Sequence, residues 1–213
     1  MGETDGSSLR VHAFLPISHT NGPGARAAIW VQGCSLGCPG CFNPETHSPA
    51  GGQSVDIEAL LARIMALRDG IEGVSITGGE PLGQRGALAE LLSRLKARTD
   101  LSVVLFTGFS WAEVTALDGS AGVLANVDLV VAGRYVVARR LARDLRGSDN
   151  QTLHFLSDRY GADDLRAVPM AEVLVGLGGE IVVSGVGPPR LDGLGESWAL
   201  SGWGESNEVR RRA

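Results

Sequence analysis

The sequence predicts a single α/β domain built around a parallel sheet. Short apolar segments that suit buried strands alternate with segments whose apolar residues recur every three or four positions, as on one face of a helix. The chain has 213 residues, 30 of them glycine, and the glycines fall mostly between the apolar segments. We count about four strand–helix repeats, too few for a closed eight-fold barrel of ~250 residues. The pattern therefore favours a partial (β/α) barrel.

The individual elements follow from the same periodicities. Strands are predicted at residues 11–17, 27–32, 73–77, 101–106, 127–132, 152–156, 172–177 and 180–184. Helices are predicted at residues 55–69, with Ser54 or Asp56 as cap, and at residues 87–98. Ser110 and Glu113 have the spacing of a capping box that opens a further helix.

Three parts of unequal length are predicted along the chain. Residues 1–10 are expected to be a flexible lead-in, residues 11–187 the folded domain, and residues 188–213 a C-terminal tail without periodicity. The last two strands of the domain meet at Gly178-Gly179, a pair that favours a hairpin.

Composition excludes several classes of protein. A net charge of −5 gives no electrostatic reason to expect a nucleic acid partner. The longest apolar runs, such as residues 101–106, are far shorter than the ~20 residues of a membrane span. The polar, acidic first eight residues are unlike a secretory signal. We therefore expect a cytoplasmic protein without a membrane partner.

The three cysteines are the sharpest chemical signal. Cys34, Cys38 and Cys41 lie within eight residues and no fourth cysteine exists, which is a poor basis for disulfides. Three thiolates on one loop can each bind one iron of a four-iron cluster and leave the fourth iron open for chemistry. The alternative is a structural zinc site, which needs four ligands and would recruit His47.

The cysteine motif and a second motif together resemble the radical S-adenosylmethionine superfamily. Cys-x-x-x-Cys-x-x-Cys follows one predicted strand, and Gly78-Gly79-Glu80-Pro81 follows the next. The resemblance implies a 4Fe-4S cluster on the three cysteines and S-adenosyl-L-methionine chelated to the open iron. It also implies that Gly78, Gly79 and Glu80 contact the methionine amine, where a carboxylate complements an ammonium group.

Further segments resemble the activating enzymes of glycyl radical enzymes, above all the anaerobic ribonucleotide reductase activating proteins. The matching segments are Asn21-Gly22-Pro23-Gly24-x-Arg26, Gly33-Cys34, Cys38-Pro39-Gly40-Cys41-Phe42-Asn43, Thr77-Gly78-Gly79-Glu80-Pro81-Leu82, Thr107-Gly108-Phe109 and Arg146-Gly147-Ser148-x-Asn150-Gln151-x-x-His154. This resemblance implies that Phe42 lies near the adenine and that Thr107 and Gly108 form part of the nucleoside pocket. It places Arg26 at the border of the active site and residues 146–151 near the open edge of the sheet.

The resemblance implies an oxidoreductase that passes one electron to S-adenosylmethionine and forms a 5′-deoxyadenosyl radical. That radical would abstract hydrogen from a glycine of a partner glycyl radical enzyme. A one-electron donor such as flavodoxin or ferredoxin would be a second partner, and no side chain is assigned as a catalytic acid or base. One departure from the resemblance is Ala132-Gly133-Arg134, where such activases commonly carry Asp-Gly, with Asp128 the nearest acidic residue in sequence.

Two other functions stay open at this point. The first is radical chemistry on a small molecule or peptide, and the second is a non-catalytic iron–sulfur or zinc binding module. An activase must admit a loop of a large protein, so we expect residues 18–26 and 146–151 to border an open cluster side. A small-molecule enzyme would instead enclose its substrate, and residues 163–184 are long enough to form a lid.

Overall fold

The computed structural model describes residues 7–176 and 181–187. Their strands form one seven-stranded sheet and two short ribbons of two strands each. The strands are β1 (Ser8–Ser18), β2 (Arg26–Val31), β3 (Gln53–Asp56), β4 (Gly73–Gly78), β5 (Ser102–Thr107), β6 (Leu129–Ala132), β7 (Arg140–Arg143), β8 (Arg146–Ser148), β9 (Thr152–Phe155), β10 (Ala171–Val175) and β11 (Ile181–Gly185).

The sheet is mixed, with parallel strands at its centre. Its order is β3-β1-β2-β4-β5-β6-β9, and the strands β2, β4, β5 and β6 run parallel. β1 pairs antiparallel with both β2 and β3, and β9 pairs antiparallel with β6. β3 and β9 remain as the two edges of the sheet in the described part of the chain. The α/β class and the partial barrel are thus confirmed, while the parallel pattern holds for four strands only.

Five short α-helices are found among the described residues, and their ends follow local sequence signals. Asp56 caps the first helix by accepting a hydrogen bond from the Ala59 amide, and Ser110 with Glu113 forms the predicted capping box of the third. The helices are α1 (Ile57–Met65), α2 (Arg85–Arg98), α3 (Trp111–Ala116), α4 (Ser120–Leu124) and α5 (Ala162–Arg166).

Alternate residues of the central strands pack on opposite faces of the sheet. In β5, Val103 and Leu105 join the large core beneath α1 and α2, whereas Val104 joins a smaller core on the other face. The inner stripe of α2, formed by Leu88, Leu91, Leu92 and Leu95, has no exposed surface. Burial of each such leucine contributes about 1.5–3 kcal/mol to stability, so this layer fixes the sheet that positions the site.

The ends of the parallel strands form two opposite sides of the sheet, which are distinct from its edge strands β3 and β9. Their last residues, Val31, Gly78, Thr107 and Ala132, lie side by side at what we call the carboxyl edge. Their first residues, among them Arg26, Gly73 and Ser102, lie at the amino edge. Five residue steps at ~3.3 Å separate Arg26 from Val31, so the two edges are roughly 16 Å apart along β2.

Three features of the seven-stranded sheet differ from the sequence prediction. β1 begins at Ser8, and Leu9 is fully buried, so the predicted flexible lead-in is wrong for residues 8–10. A short strand, β3, precedes α1, because Gln53–Asp56 pair with the beginning of β1. β9 runs antiparallel because the chain returns from β6 through the β7–β8 ribbon, without a helical crossover.

The C-terminal strands form the predicted hairpin pair. β10 and β11 pair antiparallel over five residues each. Gly178-Gly179, residues 1–6 and the predicted tail 188–213 lie outside the described residues. In the described part of the chain, no helix is both long enough and apolar enough to span a membrane.

Candidate active site

The cysteine loop leaves the carboxyl edge directly after β2 and is closed at its base. The Gly33 amide donates to the Thr46 carbonyl over 2.8 Å, and the Cys34 amide donates to the His47 carbonyl over 3.1 Å. These two bonds hold both ends of the loop together, so Cys34, Cys38 and Cys41 are presented by one closed loop.

A buried glutamine anchors the far end of this loop. The Gln32 side-chain nitrogen donates to the Glu45 carbonyl at 3.0 Å and to the Ser48 carbonyl at 2.7 Å. Its side-chain oxygen lies 2.8 Å from the His12 Nδ1 atom. Gln32 is only 2% exposed, so this contact fixes the loop to the sheet from below.

The cysteines are free and partly exposed. Burial raises the pKa of the Cys34 and Cys41 thiols, and hydrogen bonds from the backbone of Leu36 and Asn43 oppose that rise. The Asn43 amide lies 3.4 Å from the Cys41 Sγ atom as a donor. Backbone donors of this kind stabilise thiolates that ligate iron–sulfur clusters, since they offset part of the charge on sulfur.

The segment after β4 packs directly against the start of the cysteine loop. The Gly79 amide donates to the Val31 carbonyl and the Glu80 amide to the Gly33 carbonyl, over 2.8 and 2.9 Å. A Cβ at Gly78 would lie 2.6 Å from the Val31 nitrogen, and one at Gly79 would lie 2.4 Å from the Gly33 oxygen. Glycine is therefore required at both positions by the neighbouring backbone, whatever ligand approaches from the other side.

The Glu80 carboxylate joins two strand ends. It is 3% exposed and accepts hydrogen bonds from the Leu82 amide, the Thr107 hydroxyl and the Gly108 amide at 2.8–2.9 Å. Burial raises the pKa of the Glu80 carboxyl, while these three donors oppose the rise. A carboxylate offers about four acceptor positions, so Glu80 can take one further donor.

Phe42 lies in an aromatic cluster beside the loop. Its ring centroid is 4.5 Å from that of Tyr135, and the Arg140 guanidinium carbon lies 5.7 Å from the Phe42 centroid. A Cβ on the buried Gly147 would come within 3.1 Å of the Phe42 ring. Gly147 thus leaves room for the ring pair, which brings the 146–151 segment to the side of the cysteine loop.

That segment is fastened to the end of β6. The Gln151 side-chain oxygen accepts from the Gly147 and Ser148 amides, and its nitrogen donates to the Gly133 carbonyl. The Asn150 side-chain nitrogen donates to the Arg134 carbonyl at 2.8 Å. Residues 146–151 therefore lie at the carboxyl edge, on the same side of the sheet as the cysteines.

Comparison with known proteins bears on this arrangement. The family model described as a 4Fe-4S single cluster domain matches residues 20–154. The anaerobic ribonucleoside-triphosphate reductase-activating protein of Vibrio cholerae is 31% identical over 153 residues, covering 68% of this chain and 97% of the relative. The chain belongs to the radical S-adenosylmethionine activating enzymes.

Two further relatives and one solved structure are similar to parts of the chain. The phage T4 protein of the same name is 32% identical over 144 residues, 66% of this chain and 90% of its own. The pyruvate formate-lyase-activating enzyme of Clostridium pasteurianum is 29% identical over 126 residues, 57% of this chain and 50% of its own. Among solved structures, QueE from Escherichia coli aligns with a TM-score of 0.41 at 20% identity, covering 48% of this chain and 53% of that one.

The donor set fits the cluster of a radical S-adenosylmethionine enzyme. Within the described residues, no three His, Cys, Asp or Glu side chains converge as the ligands of one metal ion. A cubane does not need such convergence, because each thiolate binds a different iron. Three free thiols on a closed loop, with Cys34, Cys38 and Cys41 all partly exposed, meet that requirement.

The surroundings of the loop also fit a polar ligand. Five buried side-chain atoms have no hydrogen-bond partner within the described protein, namely His12 Nε2, His47 Nε2, Asp144 Oδ1, Arg146 Nε and Asn150 Oδ1. His47 belongs to the loop itself, and His12 contacts Gln32 beneath it. Glu80, Thr107 and Gly108 form one hydrogen-bonded unit beside the loop, and the predicted adenine contact Phe42 lies on its other flank. The predicted cofactor residues thus share the carboxyl edge with the cysteines.

One predicted site residue is misplaced. Arg26 lies at the amino edge and is fully buried, so the prediction that it borders the active site is wrong. Its guanidinium donates to the Ser75 and Ser102 hydroxyls, the Tyr160 hydroxyl and the carbonyls of Pro23, Val74 and Ser102. Ser18 pairs with Arg26 at the start of β2, so the prediction for residues 18–26 fails for the same reason.

The acidic residue expected near the site is not supplied by Asp128. Asp128 lies at the beginning of β6, at the amino edge, where it binds Lys96 at 2.7 Å. Beyond the other end of β6, Arg134 forms a two-bond ion pair with Glu113 at 2.7 and 3.0 Å. This pair lowers the pKa of the exposed Glu113 carboxyl to about 2. At the end of β6 this chain therefore has Ala132 instead of the expected acidic residue. The charged side chain that follows, Arg134, is already paired with Glu113.

Residues 163–184 do not cover the cysteine loop in their described part. The Glu172 carboxylate accepts hydrogen bonds from the Ser18 hydroxyl, the His19 amide and the Thr20 hydroxyl. The Asn21 side chain donates to the Ser184 hydroxyl at 2.7 Å. These contacts dock the β10–β11 hairpin at the amino edge, away from the position that a lid would need.

Sequence reasoning missed the supports beneath the loop. Gln84 donates to the Arg10 and Gln32 carbonyls, and its oxygen accepts from the Arg10 amide. Gln32 and Gln84 together connect β1, β2 and the turn after β4 under the cysteines. The one available signal for Gln32 was its position, since it immediately precedes Gly33-Cys34 at the end of a buried strand.

Proposed function

We propose that this chain activates a glycyl radical enzyme by removing a hydrogen atom from a glycine Cα of that partner. The observation that carries the proposal is the shared position of the cysteine loop, the Gly78–Glu80 turn and the Thr107–Gly108 turn at the carboxyl edge. Ligands of α/β proteins bind at this end of parallel strands. The proteins named above for activating anaerobic ribonucleoside-triphosphate reductase supply the partner class.

The roles of the residues follow from their contacts. Cys34, Cys38 and Cys41 would hold the cluster, and the open iron would bind S-adenosylmethionine. When bound, these groups supply one-electron cleavage of the sulfonium and removal of a hydrogen atom from the substrate. Glu80 would accept a hydrogen bond from the methionine ammonium group while it keeps Thr107 and Gly108 in place. Phe42 would contact the adenine.

The alternative of a small-molecule enzyme has less support. The segment predicted as its lid is residues 163–184. In its described part, Glu172 of this segment binds Ser18 and His19 at the amino edge, opposite the cysteines. Residues 146–151 flank the carboxyl edge, where they are suited to border an entering peptide through backbone hydrogen bonds. We also infer a cytoplasmic location, supported by three cysteines that all remain free thiols.

The proposal is tested with anaerobically reconstituted protein, S-adenosylmethionine and dithionite. The expected products are methionine and 5′-deoxyadenosine in equal amounts. The reconstituted protein should contain about four irons per chain with matching sulfide. A protein that retains one zinc after chelator treatment and accepts no cluster would be a binding module. In that case the proposed activity would be wrong.

A further inference from the structure

The segment that follows β6 is strongly basic in an otherwise acidic chain. Residues 134–149 contain five arginines and two aspartates, whereas the whole chain has a net charge of −5. Four of the arginines are exposed, and we call three of them, Arg139, Arg140 and Arg143, the arginine patch, since the fourth, Arg134, is held by Glu113. Such a concentration of one sign of charge attracts a partner of the opposite sign.

One end of the arginine patch borders the cysteine loop. Val137, at the start of the same segment, lies on Gly40, where an added Cβ would be 3.3 Å from the Val137 Cβ. The Arg140 guanidinium stands over the Phe42 ring. Gly40 and Phe42 are the two neighbours of Cys41 in sequence, so the patch reaches the loop beside the third cysteine.

The surface has the composition of a small, transient interface. Val137 is 56% exposed and provides an apolar centre, with arginines around it. The ion pair of Arg139 with Asp149 is exposed on both sides, whereas in the pair of Arg143 with Asp144 the arginine is exposed and the aspartate mostly buried. Exposed pairs such as that of Arg139 contribute little, so carboxylates of a partner can replace them at small cost.

We propose that the arginine patch is the docking surface for an acidic one-electron carrier protein. This inference rests on the proposed function, because only a redox-active cluster needs such a carrier. One electron leaves the reduced carrier, which is oxidised by one electron, and the cluster on Cys34, Cys38 and Cys41 is reduced by one. No proton or chemical group is transferred.

The position favours a carrier over the glycyl radical partner. An electron has to reach the cluster, and Arg140 of the patch stands over Phe42, the neighbour of Cys41 on the loop that would hold the cluster. The glycine has to reach the nucleoside, whose predicted contacts are Phe42, Thr107 and Gly108, and among these the described contacts of the patch include only Phe42. Weak redox complexes also use small interfaces, below about 1,200 Å² in total.

The test measures how fast a flavodoxin in its hydroquinone form reduces the reconstituted cluster in a stopped-flow instrument. Arg140→Glu/Arg143→Glu is compared with Arg68→Glu/Arg98→Glu, which changes the charge equally on exposed arginines beside the amino edge. At low salt we expect the second-order rate constant of the first variant to fall about tenfold or more. The difference should largely disappear at about 0.5 M salt, because screening removes the steering.

Arg143→Glu alone is the second variant, since Arg143 lies away from the Phe42 ring. It should give a smaller fall in the same direction, with unchanged iron content. Equal low-salt rate constants for wild type and both patch variants would overturn the proposal. So would a loss of affinity for the glycyl radical enzyme with unchanged reduction by flavodoxin. Failure of dithionite to drive cleavage of S-adenosylmethionine by wild type would instead refute the proposed function.

Discussion

At the carboxyl edge of the sheet, reactive side chains are held from below and stay accessible, whereas at the amino edge the Arg26 guanidinium is hydrogen-bonded within the protein, to side chains and to backbone carbonyls. The three thiols are partly exposed and unbonded to each other, and the Nε2 atoms of His47 on the same loop and of His12 beneath it lack protein partners in the described structure. Arg26, in contrast, uses its guanidinium in six hydrogen bonds and has no exposed surface.

The difference shows that polarity at a strand end does not by itself indicate a site. A fully satisfied polar network stabilises one arrangement of the fold, and a partly satisfied one retains donors and acceptors for a ligand. By this criterion the polar network at the amino edge stabilises the fold, and the carboxyl edge is where a cofactor can bind. Substitutions at the two edges should therefore change different measurable quantities.

The largest expected effect is the loss of the cluster. Cys34→Ala, Cys38→Ala or Cys41→Ala should abolish the four-iron cluster, because each removes the only protein ligand of one iron. Iron and sulfide analysis with visible absorption measures this. Ser35→Ala, an exposed change in the same loop, should retain wild-type iron content. Full iron content in all three cysteine variants would contradict the assignment.

The next effect concerns stability at the amino edge. Arg26→Met should lower the free energy of unfolding by about 3 kcal/mol, since several buried acceptors lose their donor. Anaerobic urea denaturation measures this, and Arg26→Lys should fall between wild type and the methionine variant. The folded fraction should bind S-adenosylmethionine with wild-type affinity. If fully folded variant protein lost much of that affinity, Arg26 would contribute to the active site after all.

The third effect is on cofactor affinity. Glu80→Ala should weaken binding of S-adenosylmethionine by roughly ten- to a hundredfold, the equivalent of ~1.5–3 kcal/mol for a charge-assisted hydrogen bond. Iron content should not change. Titration calorimetry measures the affinity, with Glu72→Ala as the matched control at the amino edge, where Glu72 binds Arg159 and Tyr160. Unchanged affinity would show that Glu80 only fixes the turn.

The smallest effect is a pH-dependent one at Asp128. Burial alone would raise the pKa of this carboxyl, but hydrogen bonds from Lys96, Val103 and Ser157 hold it below its ordinary value. A depressed folded-state pKa contributes stability above the unfolded value near 4, and that stability is lost as pH falls further. Asp128→Asn should therefore cost about 1–2 kcal/mol at pH 7 and less below pH 4.

Urea denaturation at pH 7 and at pH 3 checks this dependence, because the stabilisation is lost only below the unfolded value near 4. The exposed Asp100 provides the control, in Asp100→Asn, since its carboxylate makes no hydrogen bond or ion pair within the described residues and only its backbone carbonyl accepts a bond, from Arg159. A cost at Asp128 that stays constant from pH 7 to pH 3 would mean that its charge is not what stabilises the edge.

Contiguous motifs made much of the carboxyl edge predictable. Strand β4 and the turn at Gly78–Glu80 follow each other in sequence, so the edge at which Glu80 lies could be derived from strand direction alone. The same rule contradicts the prediction for Arg26, because a residue at the start of the strand that leads into Cys34 must lie at the far edge. The prediction for Arg26 followed from the resemblance, whereas the direction of β2 places Arg26 at the amino edge.

Other contacts carried no local signal. Glu172 and Ser18 are 154 positions apart, and nothing in either neighbourhood predicts that a hairpin would dock there. The glycines at 78 and 79 were expected to admit a ligand, yet they are required by the backbone of Val31 and Gly33. Such long-range packing is fixed by the whole sheet, and only the assembled structure reveals it.

The central claim is that the carboxyl edge delivers radical chemistry to a glycine of a partner protein. The most direct measurement uses a glycyl radical enzyme with α-deuterated glycine, incubated anaerobically with this protein, S-adenosylmethionine and a reductant. The account predicts deuterium in 5′-deoxyadenosine, measured by mass spectrometry, together with a glycyl radical signal in electron paramagnetic resonance. Cleavage without deuterium transfer from any glycyl partner, alongside hydrogen transfer from a small metabolite, would contradict it.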